Sequence, residues 1–175
     1  ASGGPFEAVV NAAADPDGAI AAYVSQAPGA SLVGEDGVRR VYRIPKAPAE
    51  PVLGDVIPIA RLHAVRHQDD LRFVHDGEIE TGWGDFPQAP GQWLMVDLGG
   101  LHEVGGVTQS IGEYFLDFPQ RLAIDISSDE VEWQRVWVGS TAAHTVLAYF
   151  RGPREGALRF AFEPRPARFV KLQQL

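Results

Sequence analysis

His63 and His67 stand four residues apart, the first spacing in the chain that could do chemistry. On a helix it would set both imidazoles on one face as zinc ligands. The surrounding run, 59–67, reads instead as a strand, where residues four apart lie roughly 13 Å from one another, too far to share an ion. No Glu follows His63, so the metalloprotease pattern is missing as well. Ser127-Ser128-Asp129 offers hydroxyls and a carboxylate, but there is no Gly-x-Ser-x-Gly elbow to present a nucleophile. Asp125, Asp129, Glu130 and Glu132 form an acidic cluster that reads as a solvent-facing strand and turn. A glycosidase needs two carboxylates at a set separation in space, which sequence spacing does not supply. These residues predict no catalytic site.

The elements that would position such groups are short strands. The chain has 175 residues, 45% of them hydrophobic, which is enough for a core without disulfide or metal staples. Thirteen prolines and 19 glycines break the apolar runs into short segments separated by turns. Fifteen Lys and Arg against 23 Asp and Glu give a net charge of −8, the wrong balance for phosphate backbones or anionic membranes. The absence of cysteine excludes disulfide frameworks, thiol catalysis and Cys-ligated zinc. No apolar run reaches the roughly 20 residues of a membrane span, and the start has no signal-peptide pattern. Ala1-Ser2-Gly3-Gly4 looks like a linker or cloning scar, so the expectation is a piece of a longer protein.

Asp15-Pro16-Asp17 followed by Ile20, Tyr23 and Val24 predicts a short helix at about 17–26. Residues 30–33 and 38–44 around Gly34-Glu35-Asp36-Gly37 predict a β-hairpin. Three prolines within 45–51 predict an extended linker. The expected organisation is a helix–hairpin segment at 1–45, a proline-rich linker at 46–55 and a β-domain at 56–175. Strands are expected at 92–98, 103–109, 121–127, 131–138, 144–150, 157–162 and 167–172. Leu122, Ile124 and Ile126 alternate with Ala123, Asp125 and Ser127, the period of a half-buried strand, and Leu158, Phe160 and Phe162 repeat it. Strands at this spacing without intervening helices predict a β-sandwich or jelly roll. Trp83 and Trp133 are expected to plug opposite ends of its core.

From about residue 56 onward the chain resembles the discoidin, or coagulation-factor type C, domain family, which includes galactose-binding-like carbohydrate-binding modules. The resemblance rests on Asp76-Gly77, Thr81-Gly82-Trp83, the run from Pro90 through Trp93 to Gly99, and Ile126-Ser127-Ser128-Asp129 with Trp133. It closes on Pro164 and Ala167-Arg168-Phe169-Val170-Lys171-Leu172. The resemblance implies a galactose-binding-like jelly-roll β-sandwich, preceded here by a small α+β segment, and a noncatalytic binding role. The N-terminal segment weakly resembles the soluble tail of bacterial polytopic membrane glycosyltransferases, which implies an extracytoplasmic place in a larger envelope protein.

The same resemblance implies a structural calcium beside the Asp-Gly…Thr-x-Trp loop. Asp76 and Thr81 would hold it, with Gln173 (or Gln174) where the family usually has Glu, and Glu78 or Glu80 as substitutes. Fewer carboxylates weaken such a site. The ligand surface implied is the loops at one end of the sandwich. A sugar would use aromatic rings for its C–H face and Arg or His for its hydroxyls. The candidates are Arg66, His67, Arg72, Phe86, Tyr114 and Phe115, with His144 farther along. A glycan or glycolipid is the expected partner, without nucleic acid or membrane insertion by this fragment. The alternative is a structural or protein-interaction domain that binds a parent or partner protein and no small molecule.

Overall fold

The computed structural model describes residues 5–13, 18–25, 29–44, 53–84, 87, 89–112, 118–141, 144, 145, 148, 151, 152 and 154–175. The chain divides into two compact units, 1–50 and 51–175. The expected linker falls mostly on residues outside the description.

In the first unit, strands β1 (Phe6–Asn11), β2 (Ser31–Glu35) and β3 (Arg39–Ile44) form an antiparallel sheet in the order β1-β3-β2. Helix α1 (Ala19–Ser25) completes it. Ala8, Val10, Tyr42 and Ile44 alternate onto one face and bury with Ala21 and Val24 of the helix. The side chains of Ile20 and Tyr23 lie outside the description. Asp36 closes the β2–β3 turn by accepting from the amides of Val38 and Arg39, while Gly37 supplies the left-handed backbone, φ +78°. The helix and hairpin follow expectation. Strand β1 does not, because Glu-Ala-Val-Val-Asn lacks the β-branched alternation that marks a strand in isolation.

The sheet of the second unit is antiparallel throughout, with strands in the order β4-β5-β8-β6-β7: β4 (Arg61–Ala64), β5 (Trp93–Ser110), β6 (Arg121–Ser127), β7 (Gln134–Ser140) and β8 (Ala157–Gln174). β5 and β8 each run 18 residues, and the sequence reads each as two short strands. Glycines and prolines at 99–100 and 164–166 interrupt the apolar pattern while the interstrand pairing resumes beyond them. The register shifts between Asp97 and His102, where the β5–β8 ribbon bends and doubles back over the sheet it belongs to. Phe160, on the returning half of β8, therefore packs against Trp137 of β7 with ring centroids 4.6 Å apart. Between the two layers lie Val104, Leu122, Ile124, Ile126, Leu158, Phe160 and Val170. This is the expected β-sandwich, built largely from one folded ribbon.

Residues 144, 145, 148 and 151 are helical, which corrects the expected strand at 144–150. Thr141, fully buried, starts this segment: its carbonyl accepts from the amide and hydroxyl of Thr145, and its own hydroxyl donates to Pro119. Trp137 packs on the core, whereas Trp83 and Trp133 are only half-buried and sit outside the central cluster, contrary to their expected role as plugs.

Two carboxylate–guanidinium forks hold the irregular points of the sheet. Asp97, buried at the bend, accepts Arg168 Nε at 2.8 Å and Nη2 at 2.9 Å, and also the Gly99 amide at 2.8 Å. Asp125 accepts Arg135 Nε at 2.9 Å and Nη2 at 3.1 Å, beside the register shift between β6 and β7. Asp125 is thus buried rather than solvent-facing as its sequence suggests.

The hydrogen bonds from Arg168 hold the Asp97 carboxyl down from 3.8 to about 2. Because the folded value lies below the unfolded one, this stabilisation is present above about pH 4 and is lost as pH falls toward 2. We expect Asp97→Asn to lower unfolding free energy at neutral pH by roughly 2 kcal/mol, the worth of hydrogen bonds to a charged group. It should also flatten the acid limb of stability. Urea melts from pH 7 to pH 2 check this, and a variant that keeps the parent slope in acid would refute it.

Candidate functional site

The chain between β4 and β5 emerges at one end of the five-stranded sheet, level with Leu94 and with the far end of β8. It opens with a 3₁₀ helix, Gln68–Phe73, entered through His67 in a left-handed conformation, φ 52°. The Gln68 amide donates back to the Ala64 carbonyl, and Leu71 buries, so the helix is seated on the last residue of β4. Arg66, His67 and Arg72 are exposed along this segment, and the Arg72 guanidinium lies over the Phe73 ring, 4.6 Å from its centroid. The Trp83 indole N–H donates to the Arg66 carbonyl at 3.1 Å, drawing the far side of the loop against the near side. The half-buried Trp83 is therefore tied to the backbone of the segment that carries the basic groups of 66–72. Phe86, Tyr114 and Phe115 lie outside the described residues.

Between these groups the chain makes a compact turn. Asp76 Oδ1 accepts from the Glu78 amide at 3.0 Å and Oδ2 accepts from the Thr81 hydroxyl at 2.7 Å, with Gly77 in the left-handed region. These hydrogen bonds hold the Asp76 carboxyl below the usual carboxylate range, the Glu78 amide contributing most. Asp76 and Thr81, the two loop residues expected to face calcium, are thus side by side. Gln173 belongs to the sheet, flanked by Trp93 and Ala123. Gln174 is the closing-strand residue with an orphan group, its Oε1 buried without a partner among the described residues. No cluster of three or more His, Cys, Asp or Glu side chains able to hold a metal occurs among the described residues. Asp76 and Thr81 would supply one carboxylate and one hydroxyl of the several oxygen ligands that calcium takes, backbone carbonyls among them.

Several residues that sequence reasoning passed over fix the rest of this end. Gln92 accepts the Ala89 amide and donates to Pro87, and the amides of Gly91 and Gln174 exchange bonds with the carbonyls of Gln174 and Gln92. Gly112, φ 52°, lies so close to Ile79 that a Cβ there would collide with the Ile79 carbonyl. That contact joins the 74–82 turn to Gly112, two residues before Tyr114 in sequence. His144 is packed between Trp137 and Phe160, with ring centroids 5.5 and 5.0 Å away, and burial followed by the charge of Arg151 pushes its pKa down. It is a neutral packing group at pH 7 rather than an open hydroxyl partner.

Two outcomes test this arrangement. Thr81→Val removes the second hydrogen bond to Asp76, so its carboxyl should titrate higher than in the parent when followed by carbon NMR; an unchanged value would discount the contact. Gly112→Ala combines a forbidden close approach with a left-handed backbone and should cost roughly 1–3 kcal/mol in thermal unfolding. Parent-like stability would show that the two loops are not in contact.

A search of curated protein sequences returned no match. Among solved structures, the chain is similar to a truncated AlyQ with CBM32 and alginate lyase domains: 21% identity, TM-score 0.51, 67% of this chain and 28% of that one. The chain therefore spans less than a third of that relative. It is also similar to the CBM32 of AlyQ in complex with 4,5-unsaturated mannuronic acid, at 20% identity and TM-score 0.50, covering 66% of this chain and 81% of that one. A pectin-binding carbohydrate-binding module matches at 16% identity and TM-score 0.51 over 69% of this chain and 81% of its own. These likenesses establish the β-sandwich fold. Residues 64–175 match the F5/8 type C domain, a family of noncatalytic binding modules, and match it across the turn, the ribbon and the closing strand described above. The chain belongs to the F5/8 type C domain family.

Proposed function

We propose that the second unit is a noncatalytic carbohydrate-binding module whose ligand surface is the loop end of the sandwich. The observation that carries this reading is the exposure of Arg66, His67 and Arg72, with the Arg72 guanidinium over the Phe73 ring, on a loop tied to itself by the hydrogen bond from Trp83 to the Arg66 carbonyl. Guanidinium and imidazole donors next to an aromatic ring suit a sugar, which presents hydroxyls at its rim and C–H groups on its face. By sequence Phe86 falls between β4 and β5, with Trp83, and Tyr114 and Phe115 fall between β5 and β6; they are the remaining candidates. The solved relatives support the ligand class, since two of them are described by the mannuronic acid or pectin they bind.

In this reading the module is an accessory to a larger extracytoplasmic protein. Support comes from the family's usual occurrence in extracellular or secreted proteins and from the AlyQ relative, where the matching part shares a chain with a lyase domain. Among the described residues no helix is long and apolar enough to cross a membrane. The weak resemblance of residues 1–45 to a membrane glycosyltransferase tail makes an envelope enzyme the candidate parent, and glycolipid a candidate ligand alongside free glycan.

Glycan-array screening followed by calorimetric titration of the 175-residue chain tests the proposal. We expect saccharide binding that Arg72→Ala weakens roughly tenfold, about 1.4 kcal/mol, without changing the melting temperature. No binding to any arrayed saccharide would leave a protein-interaction domain as the better description.

A further inference from the structure

At the opposite end of the sheet the β6–β7 turn encloses a second feature. Ser127 is level with Phe169 and Asp97, the register farthest from the loop end, so the 128–133 turn leaves the sandwich on the far side from Arg66 and Trp83. A cleft of about 240 Å³ opens there, its walls including Trp133, Pro166, Ser128, Glu132 and Gln134. The turn is fixed by its own hydrogen bonds. Ser127 Oγ accepts the amides of Asp129 and Glu130, and Asp129 Oδ1 accepts those of Val131 and Glu132 at 2.9 Å each. Glu130 holds a left-handed backbone, φ 66°, a conformation that favours glycine.

The Trp133 ring is held on two sides. Its indole N–H donates to the Glu130 carbonyl at 3.1 Å, and the Lys171 ammonium sits 3.9 Å from the ring centroid. Trp133 lines the cleft and Lys171 does not. With the indole N–H bonded to Glu130, Trp133 and Pro166 contribute to the small apolar share of a lining that is otherwise polar. Around them stand a hydroxyl, a carboxylate and an amide, from Ser128, Glu132 and Gln134, all exposed. A mostly polar cleft with an aromatic ring and a proline in its wall suits one pyranose ring, which presents several hydroxyls and a small C–H face.

We infer that this cleft is a second saccharide site, separate from the loop end, that takes a neutral or amino-bearing sugar and rejects an acidic one. The selectivity follows from Glu132 in the wall and from Asp129 and Glu130 in the same turn. These three carboxylates, Asp129 held ionised by the amides of Glu132 and Val131, outnumber the two cations beside them, Lys171 on the Trp133 ring and Arg168 near Glu130, so a uronic carboxylate would approach a net negative rim. A sugar amine or hydroxyl would instead donate to Glu132. The site does not depend on the loop-end reading: a sandwich with sites at both ends could bridge two glycan strands, and either site could act alone.

The test is a nitrogen–proton NMR titration of the 175-residue chain with methyl β-galactoside, glucosamine and galacturonic acid, following the four tryptophan indole N–H signals. Trp133→Phe assigns the Trp133 signal. We expect that signal to move in a saturable way with methyl β-galactoside and glucosamine but not with galacturonic acid. Gln134→Ala should weaken that response roughly fivefold, the loss of one hydrogen bond. Glu132→Lys should weaken glucosamine binding at least tenfold and admit galacturonic acid, while Arg72→Ala should leave the Trp133 titration unchanged. A Trp133 signal unmoved by all three sugars, or an equal response to galacturonic acid in the parent, overturns the inference. Titration at Trp83 alone would overturn it while sparing the loop-end reading, and titration at Trp133 alone would do the reverse.

Discussion

The fork between Asp97 and Arg168 stands at the one place where the sandwich must change direction. β5 and β8 leave the five-stranded sheet there and return above it, and a bend in a hydrogen-bonded ribbon leaves backbone groups out of register. A buried carboxylate resolves the mismatch from the side-chain direction: it accepts the Gly99 amide released by the bend and fixes the guanidinium of the opposite strand. Arg168 keeps a side chain 42% exposed, so the pair is not sealed from water and avoids the full desolvation cost of an interior ion pair. Everything above the bend depends on it. Phe160 reaches Trp137, and Leu158 and Val104 reach β6, only because the ribbon folds at that point.

The two ends of the sandwich use a common device to present side chains. At one end the Trp83 indole is tied to the Arg66 carbonyl; at the other, the Trp133 indole is tied to the Glu130 carbonyl. In both, a large ring spends its single polar group on the loop's own backbone and stays half-buried. The loops therefore have little slack, and the ordering that ligand capture would otherwise require is largely completed in folding. A left-handed residue other than glycine accompanies each ring, His67 near one and Glu130 near the other. Such backbone conformations persist where the surroundings over-determine them, and here the surrounding hydrogen bonds do so.

What the sequence made legible follows the range of the interactions involved. The alternation in Leu122–Ser127 and in Leu158–Phe162 is a local signal, and both segments are strands. The Asp76-Gly77…Thr81 turn is also local, so its hydrogen bonds could be anticipated from residue types five apart. Asp125 was misread as solvent-facing because its partner, Arg135, meets it only across a strand pair. The pairing of Lys171 with Trp133 spans 38 positions and leaves no trace in either residue's neighbourhood. The helical turn after Thr141 replaced an expected strand for the same reason. By sequence the 144–150 stretch looks β-prone, but the hydrogen bonds that Thr141 makes to Pro119 and with Thr145 set residues 144 and 145 in a helix instead. Glycine and proline at the ribbon's bend read as strand ends, although in the fold they are only corners.

The ribbon also dictates the order of assembly. β8 lies between β5 and β6, pairing Trp93 with Gln173 on one side and Leu122 with Gln174 on the other. A ribosome delivers β4 to β7 well before it delivers β8, and until then β5 and β6 have no shared neighbour. During synthesis β5 can pair with β4 and β6 with β7, but their apolar faces must wait for a shared partner that lies about forty to eighty residues downstream. Closure of such long-range contacts is slow relative to local ones. The domain is thus one that completes its fold late and nearly all at once, with its greatest exposure to wrong partners just before the last strand arrives.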